Sequence, residues 1–291
     1  MTTIDWNWFF AAFAQCAAGL IAIIGAFIIS KLLGEAEKEE IHGSNTDQLI
    51  IQFNDLTKRI SGRNFTWYDK RNIEYSSELA EAIQHGDFNG LNDAEKLQKL
   101  YSIETDLFGT LSCLEALNER IEKLTPKTSY ISGGLSIVHT PLNINLPPNG
   151  LWEKISKERD IVNQLQIESE TLIEKFEKVK KDILITKNNL TPIKTTIYIL
   201  GIGLLLTVIY PLHFMPLELN KRPTLGFSFE LVLRHIFSVK GILLFLLTVV
   251  IEGIFGYFLW LIDCVEKKYN ATTLRLVDKY FSIIDYCQYF K

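Results

Sequence analysis

Four polar residues stand inside otherwise apolar stretches of this chain, and they are its first candidates for chemistry. Glu252 interrupts the apolar run Val239–Val265, with Thr248 before it and Asp263 near its end; Gln15 interrupts the run Trp6–Leu33. On an ideal helix Gln15 lies about 13 Å inward of Trp6 and Glu252 about 18 Å beyond Lys240, so their depths are comparable. A carboxylate that deep in lipid must be paired, protonated or wetted, and it belongs in a bundle interior or a cavity. Thr248, Glu252, Gly256 and Asp263 read as one polar side of a helix. Two readings stay open. Glu252 lines a narrow cation path or proton site, repeated as a ring on oligomerisation. Alternatively a protonated Glu252 shares a hydrogen bond with Gln15, Thr248 or a backbone carbonyl and serves helix packing.

A second candidate is Ser61–Arg71, where Phe65, Trp67 and Tyr68 interleave with Arg63, Lys70 and Arg71. Such a mixture binds nucleotides by stacking and phosphate contact. The commoner use is an amphipathic turn packing its aromatics on a bundle. Ser132-Gly133-Gly134 is not followed by Gly-Lys-Ser/Thr, so it is not a phosphate loop. Hydrolase, zinc-protease and dinucleotide signatures are missing, as is the Gly-Met-Asn of CorA-type magnesium channels. Four separated cysteines and five histidines without ligand spacing offer neither a disulfide framework nor a metal centre. The chain therefore reads as a non-enzyme without a cofactor.

The elements that must position these residues are apolar helices. The 291 residues are 47% hydrophobic and 22% charged, with a net charge of −4, which excludes a disordered chain and a basic nucleic-acid binder. Apolar and charged segments are separated along the sequence. Runs from Trp6 to Leu33, Ile193 to Phe214 and Val239 to Val265 each reach the ~20 residues a spanning helix needs. A cleaved signal peptide wants a basic start and a shorter apolar core, whereas this chain opens Met-Thr-Thr-Ile-Asp. The first run reads as an uncleaved anchor, with Trp6 and Trp8 at its outer end.

Lysines Lys175, Lys178, Lys180, Lys181, Lys187 and Lys194 precede the second run, Lys31 follows the first, and Lys267, Lys268, Arg275 and Lys279 follow the third. Lys221, Arg222 and Arg234 in the remaining connection oppose this trend. The positive-inside rule then places the N-terminus outside and the C-terminus in the cytosol of a multi-pass plasma-membrane protein. Four segments follow: 1–33, the outer N-terminus and first span; 34–192, a cytosolic helical bundle; 193–265, two spans with a short outer loop; and 266–291, a cytosolic amphipathic tail. The fold class is an all-α integral membrane protein with three transmembrane helices and a cytosolic helical or coiled-coil bundle.

Ala14, Ala18, Ala22, Ala26 and Ser30 recur every fourth residue, a small-residue stripe that lets helices approach closely. Phe10, Phe13, Ile21, Ile24 and Ile28 form the opposite, lipid-facing side. In the body, Leu49, Phe53, Leu56 and Ile60 make one stripe and Leu97 through Ile121 a second, starting at Asn92 or Asp93. The third and longest runs Leu151, Ile155, Val162, Leu165, Leu172, Phe176, Val179 and Ile183. It continues toward the second span through Pro192, which kinks it or opens a new first turn, and makes a lever between body and membrane. Lys127–Gly150 reads as a loop, and the acidic stretch Gly34–Glu40 as a solvated surface.

In this architecture (short outer N-terminus, a few spans, helical cytosolic body) the chain resembles the small bacterial membrane effectors of anti-phage abortive-infection systems. The resemblance implies that a cytosolic trigger makes the membrane part assemble or open and dissipate the ion gradient. The expected function is an oligomeric membrane effector that conducts ions or perturbs the bilayer when its cytosolic domain is engaged. The alternative is a non-conducting membrane-anchored scaffold. Expected partners are membrane lipid, further copies of the chain and a cytosolic protein, with no nucleic acid.

Overall fold

The computed structural model describes residues 6–125, 127–131, 135–139, 147–215 and 237–290. Lys221, Arg222, Arg234 and Ser132-Gly133-Gly134 lie outside the described residues, as does the side chain of Trp6. The element order is α1 (Trp6–Ser61), α2 (Phe65–Tyr75), α3 (Ser77–Gln84), α4 (Asp93–Ile103), α5 (Thr110–Leu124), β1 (Lys127–Ile131), β2 (Leu135–His139), α6 (Leu151–Asn188), α7 (Leu190–Leu204), a π-helical turn (Leu205–Ile209), α8 (Tyr210–Phe214), α9 (Val239–Arg275), a 3-10 turn (Asp278–Tyr280) and α10 (Ile283–Tyr286). Three helical stretches, within Asn7–Tyr75, Leu151–His213 and Val239–Arg275, are long and apolar enough to cross a membrane. The expected loop after α5 contains an antiparallel hairpin, β1 paired with β2 from Lys127↔His139 to Ile131↔Leu135.

The long helices are laid out by a 3–4 rhythm of buried positions. On α1 the sequence 14, 18, 21, 25, 28, 32, 35, 39, 42, 46, 49, 53, 56, 60 contains no exposed residue. Along α6 and α7 the same rhythm runs 151, 155, 158, 162, 165, 169, 172, 176, 179, 183, 186, 190, 193, 197, 200, 204, again without an exposed member. It passes the one-residue break at Asn189, whose N–H bonds the carbonyls of Ile185 and Thr186. Pro192 falls in the first turn of α7, where its missing N–H goes unneeded. Further on, a proline at 211 would clash with the carbonyl four residues back in an α-helix. The π-helical turn widens the helix there: Tyr210 donates its N–H five residues back, to Leu205.

By packing, the chain divides into two units: Met1–Gln48 with Glu177–Leu276, and Leu49–Phe176 with Val277–Lys291. In the first, Ala14 of α1 packs with Leu204 and Val208, joined by Ala17, Ala18, Ile21, Leu212 and Ile251. The second has its core in α2–α5, centred on Ile73, Leu79, Leu100, Cys113 and Leu117. Each of these short helices has its own start signal. Asn64 accepts from Trp67 N, Ser76 accepts from Leu79 N, and Asn92 with Glu95 closes a reciprocal capping box. The stripe Leu97–Ile121, read from sequence as one helix, is two. Asp69 draws Phe108 N and Gly109 N to its carboxylate and so fixes the start of α5, while Leu111 is left 78% exposed.

Of the expected tail 266–291, the part to Arg275 continues α9 in the first unit, and Val277–Lys291 belongs to the second. This last stretch is a 3-10 turn and a four-residue helix rather than a long amphipathic helix. Tyr280 stacks on Phe176 at 4.7 Å and meets Phe53 edge-on at 4.9 Å. Tyr286 meets the same Phe53 at 4.7 Å and donates its hydroxyl to the carbonyl of Tyr280.

Candidate functional site

Glu252 sits on α9 facing α7. A β-carbon on Gly201 would come 2.9 Å from its Oε2, so the carboxylate occupies the space that glycine leaves open. Its Oε1 is shielded from solvent and has no hydrogen-bond partner among the described residues. The site is therefore a carboxyl group pressed on bare backbone, with one oxygen unsatisfied. Thr248 is one turn away but donates to its own helix, to the Leu244 carbonyl at 2.8 Å. Asp263 pairs with Lys194 of α7 at 2.7 Å. Gln15 is exposed on α1, and no hydrogen bond between it and Glu252 is formed. Thus Glu252 and Asp263 both engage α7, and Gln15 stands apart from them.

The small-residue stripe divides as well. Ala14 is buried and Ala18 half-buried against the first unit's own helices, whereas Ala22 and Ala26 are exposed. Ile21 and Ile28, expected on the lipid side, face inward. The reason is geometric. A strict step of four advances 400° around the helix, so from Ala14 to Ala26 the stripe drifts by about 120°. Alternating steps of four and three stay on one face. The same drift leaves Gly256 exposed while Thr248 and Phe255 are half-buried. Where the true seam passes Gly25, the helices leave a cavity of about 40 Å³ lined by Ile28, Leu32, Ile197, Leu200 and Phe255. Its walls are apolar throughout.

Sequence reasoning missed a second acidic feature. Glu35 and Glu39, expected in a solvated stretch, are 3% and 8% exposed. Both fall on the α1 seam, in step with Ile28 and Leu32, and that phase was the available signal. Lys38 pairs with Glu35 Oε1 at 2.9 Å, whereas Oε2 is buried without a partner among the described residues. From α9, the Tyr269 hydroxyl donates to the Glu35 carbonyl at 3.0 Å and Thr272 lies 3.5 Å from Glu39 Oε1. Burial, together with the charges of Glu35 and Glu39, pushes the Tyr269 phenol well above its ordinary range.

In the second unit, the basic groups of Ser61–Arg71 are dispersed. Arg63 pairs with Glu158 at 3.3 Å, Lys70 with Glu119 at 3.2 Å and Arg71 with Glu74 at 2.5 Å. Trp67 packs beside Tyr68, Leu151 and Ile155. Three cations on three different carboxylates, with the indole against the core, describe a packed surface rather than a gathered anion site. Among the described residues no group of three or more His, Cys, Asp and Glu is placed to hold a metal.

Compared with models of known protein families, with curated proteins and with solved structures, the chain matches none.

Proposed function

We propose that the chain is a multi-pass membrane effector whose three apolar helices span a bilayer, and whose polar helical body sets how those helices pack. In this reading the N-terminus is outside, the body and the C-terminus are cytosolic, and Glu252 is the group at which packing controls ion or proton passage. One observation carries it: Glu252 holds an unsatisfied carboxyl oxygen against Gly201 within an apolar segment. In lipid such a group is costly unless it takes up a proton or a cation, and intramembrane carboxylates line ion and proton paths for that reason. The unbroken 3–4 rhythm of α1 and of α6–α7 is the periodicity that coiled-coil packing uses. Exposed Ala22 and Ala26 offer a small-residue face for further copies of the chain. A role in anti-phage defence rests on the architectural resemblance.

The test is induced expression with a potential-sensitive dye in cells that give the activating signal. Depolarisation by the wild type, at least tenfold weaker with Glu252→Gln, is the expected result. Unchanged potential with the protein inserted and activated would refute conduction. A second reading, a non-conducting anchored scaffold, is favoured by the contact of Glu252 with its own chain's Gly201. On that reading Glu252→Gln alters stability alone.

A further inference from the structure

We propose that the helix ends on the polar side of the apolar segments form a binding surface for anionic phospholipid headgroups, made of Lys31, Lys267 and Lys268 beneath a ring of Phe27, Tyr198 and Trp260. The proposal rests on the membrane reading above. The ring follows from the register of the three helices. The hydrogen bond from Tyr269 to the Glu35 carbonyl aligns α9 with α1, so that Trp260 lies level with Phe27, within one residue. The Lys194–Asp263 pair and the contact of Glu252 with Gly201 set α7, which runs the opposite way, and bring Tyr198 within about one turn of that height. All three side chains point outward: Phe27 is 69% exposed, Tyr198 52% and Trp260 60%. Aromatic residues at one height on every helix are what a lipid–water boundary selects.

The cations lie just beyond this ring. Lys31 is four residues after Phe27, and Lys267 and Lys268 are seven and eight after Trp260, on the same helix faces. Their pairing sets them apart from Arg59, Arg63, Lys70 and Arg159, which each sit on a carboxylate. Lys31, Lys267 and Lys268 are exposed and form no ion pair among the described residues. Nearby Lys194 is taken by Asp263, and the half-buried Glu266 shares the α9 turn with the two free lysines. Unpaired ammonium groups one or two turns beyond an aromatic ring meet lipid phosphates, and the charge complement is an acidic headgroup such as phosphatidylglycerol.

The full chain is tested by flotation with liposomes of phosphatidylcholine alone or with phosphatidylglycerol, and by native mass spectrometry of lipids retained in detergent. The wild type should retain phosphatidylglycerol over phosphatidylcholine at least tenfold, with a preference that fades as salt rises. A K31Q/K267Q/K268Q variant should lose that preference while still floating, and a K31R/K267R/K268R variant should keep it. Equal retention of both lipids by the wild type, or an undiminished preference in the glutamine variant, overturns the proposal and leaves the membrane reading standing. Displacement of the retained lipid by millimolar inorganic phosphate would overturn it too, by assigning the lysines to soluble anions. Flotation with neither liposome would sink both readings.

Discussion

Asp69 in one unit and Glu252 in the other are both carboxylates drawn away from solvent, and their surroundings are opposites. Asp69 is fully buried and accepts from Phe108 N at 2.9 Å, Gly109 N at 2.7 Å and the Ser112 hydroxyl at 3.3 Å. Gly109 belongs to the arrangement, since a β-carbon there would stand 2.5 Å from Ser112 Oγ and 3.1 Å from Asp69 Oδ2. Glu252 also meets a glycine, yet its Oε1 gains no donor among the described residues. Burial by itself therefore does not tell a satisfied acid from an unsatisfied one. The donor set does: Asp69 is saturated because it builds the start of α5, and Glu252 is left with capacity to spare. Glu35, with one oxygen on Lys38 and the other unpartnered among the described residues, falls on the Glu252 side of the divide.

The contrast breaks first at Asp69. Asp69→Ala strands two backbone N–H groups and should cost about 3 kcal/mol in chemical denaturation; a loss below about 1 kcal/mol would mean that water serves those donors equally well. The opposite sign is expected across the divide. Glu252→Leu and Glu35→Leu each remove a poorly satisfied carboxyl from packed surroundings and should raise stability by about 1–2 kcal/mol in detergent. If either lowers stability, its carboxylate has a partner that matters to the fold. A more stable Glu252→Leu protein that no longer depolarises cells would place the residue among those kept for function at the expense of stability.

The smallest effect is in pH dependence. Burial pushes the Asp69 carboxyl above its ordinary range, and the backbone N–H groups of Phe108 and Gly109 pull back only part of the way. Between the ordinary and the raised value the folded chain holds more protons than the unfolded one. The Asp69 contribution therefore declines as pH rises from about 4 through the raised value. Asp69→Asn should remove that slope, measured as stability across the acid range. A slope of the reverse sign in the wild type would show that the N–H donors outweigh burial.

Much of this fold is legible in the residues. Long apolar runs announce the three helices capable of spanning, and Leu49–Ile60 and Leu151–Ile183 mark stripes that are buried in the structure, with Val179 half-buried. Failure came where a period was chosen without asking how far it drifts. Counting alanines by fours led off the α1 face, and the charge of Glu35 and Glu39 outweighed their phase with Ile28 and Leu32. Contacts distant in sequence left even less trace. Nothing local says that Asp69 will cap a helix forty residues on, or that Tyr280 will stack on Phe176. At the candidate site the sequence offered Glu252 and Asp263, but it could not say that both would turn toward α7.

The widened turn at Leu205–Ile209 has a consequence for phase. Because Pro211 would clash with the carbonyl of Thr207 in an unbroken α-helix, the turn is tied to this place along the chain. The extra residue it takes up shifts the face on which Tyr210 and Pro211 lie relative to that of Gly201, opposite Glu252, by a fixed amount. Among the described helices this one alone carries such an offset.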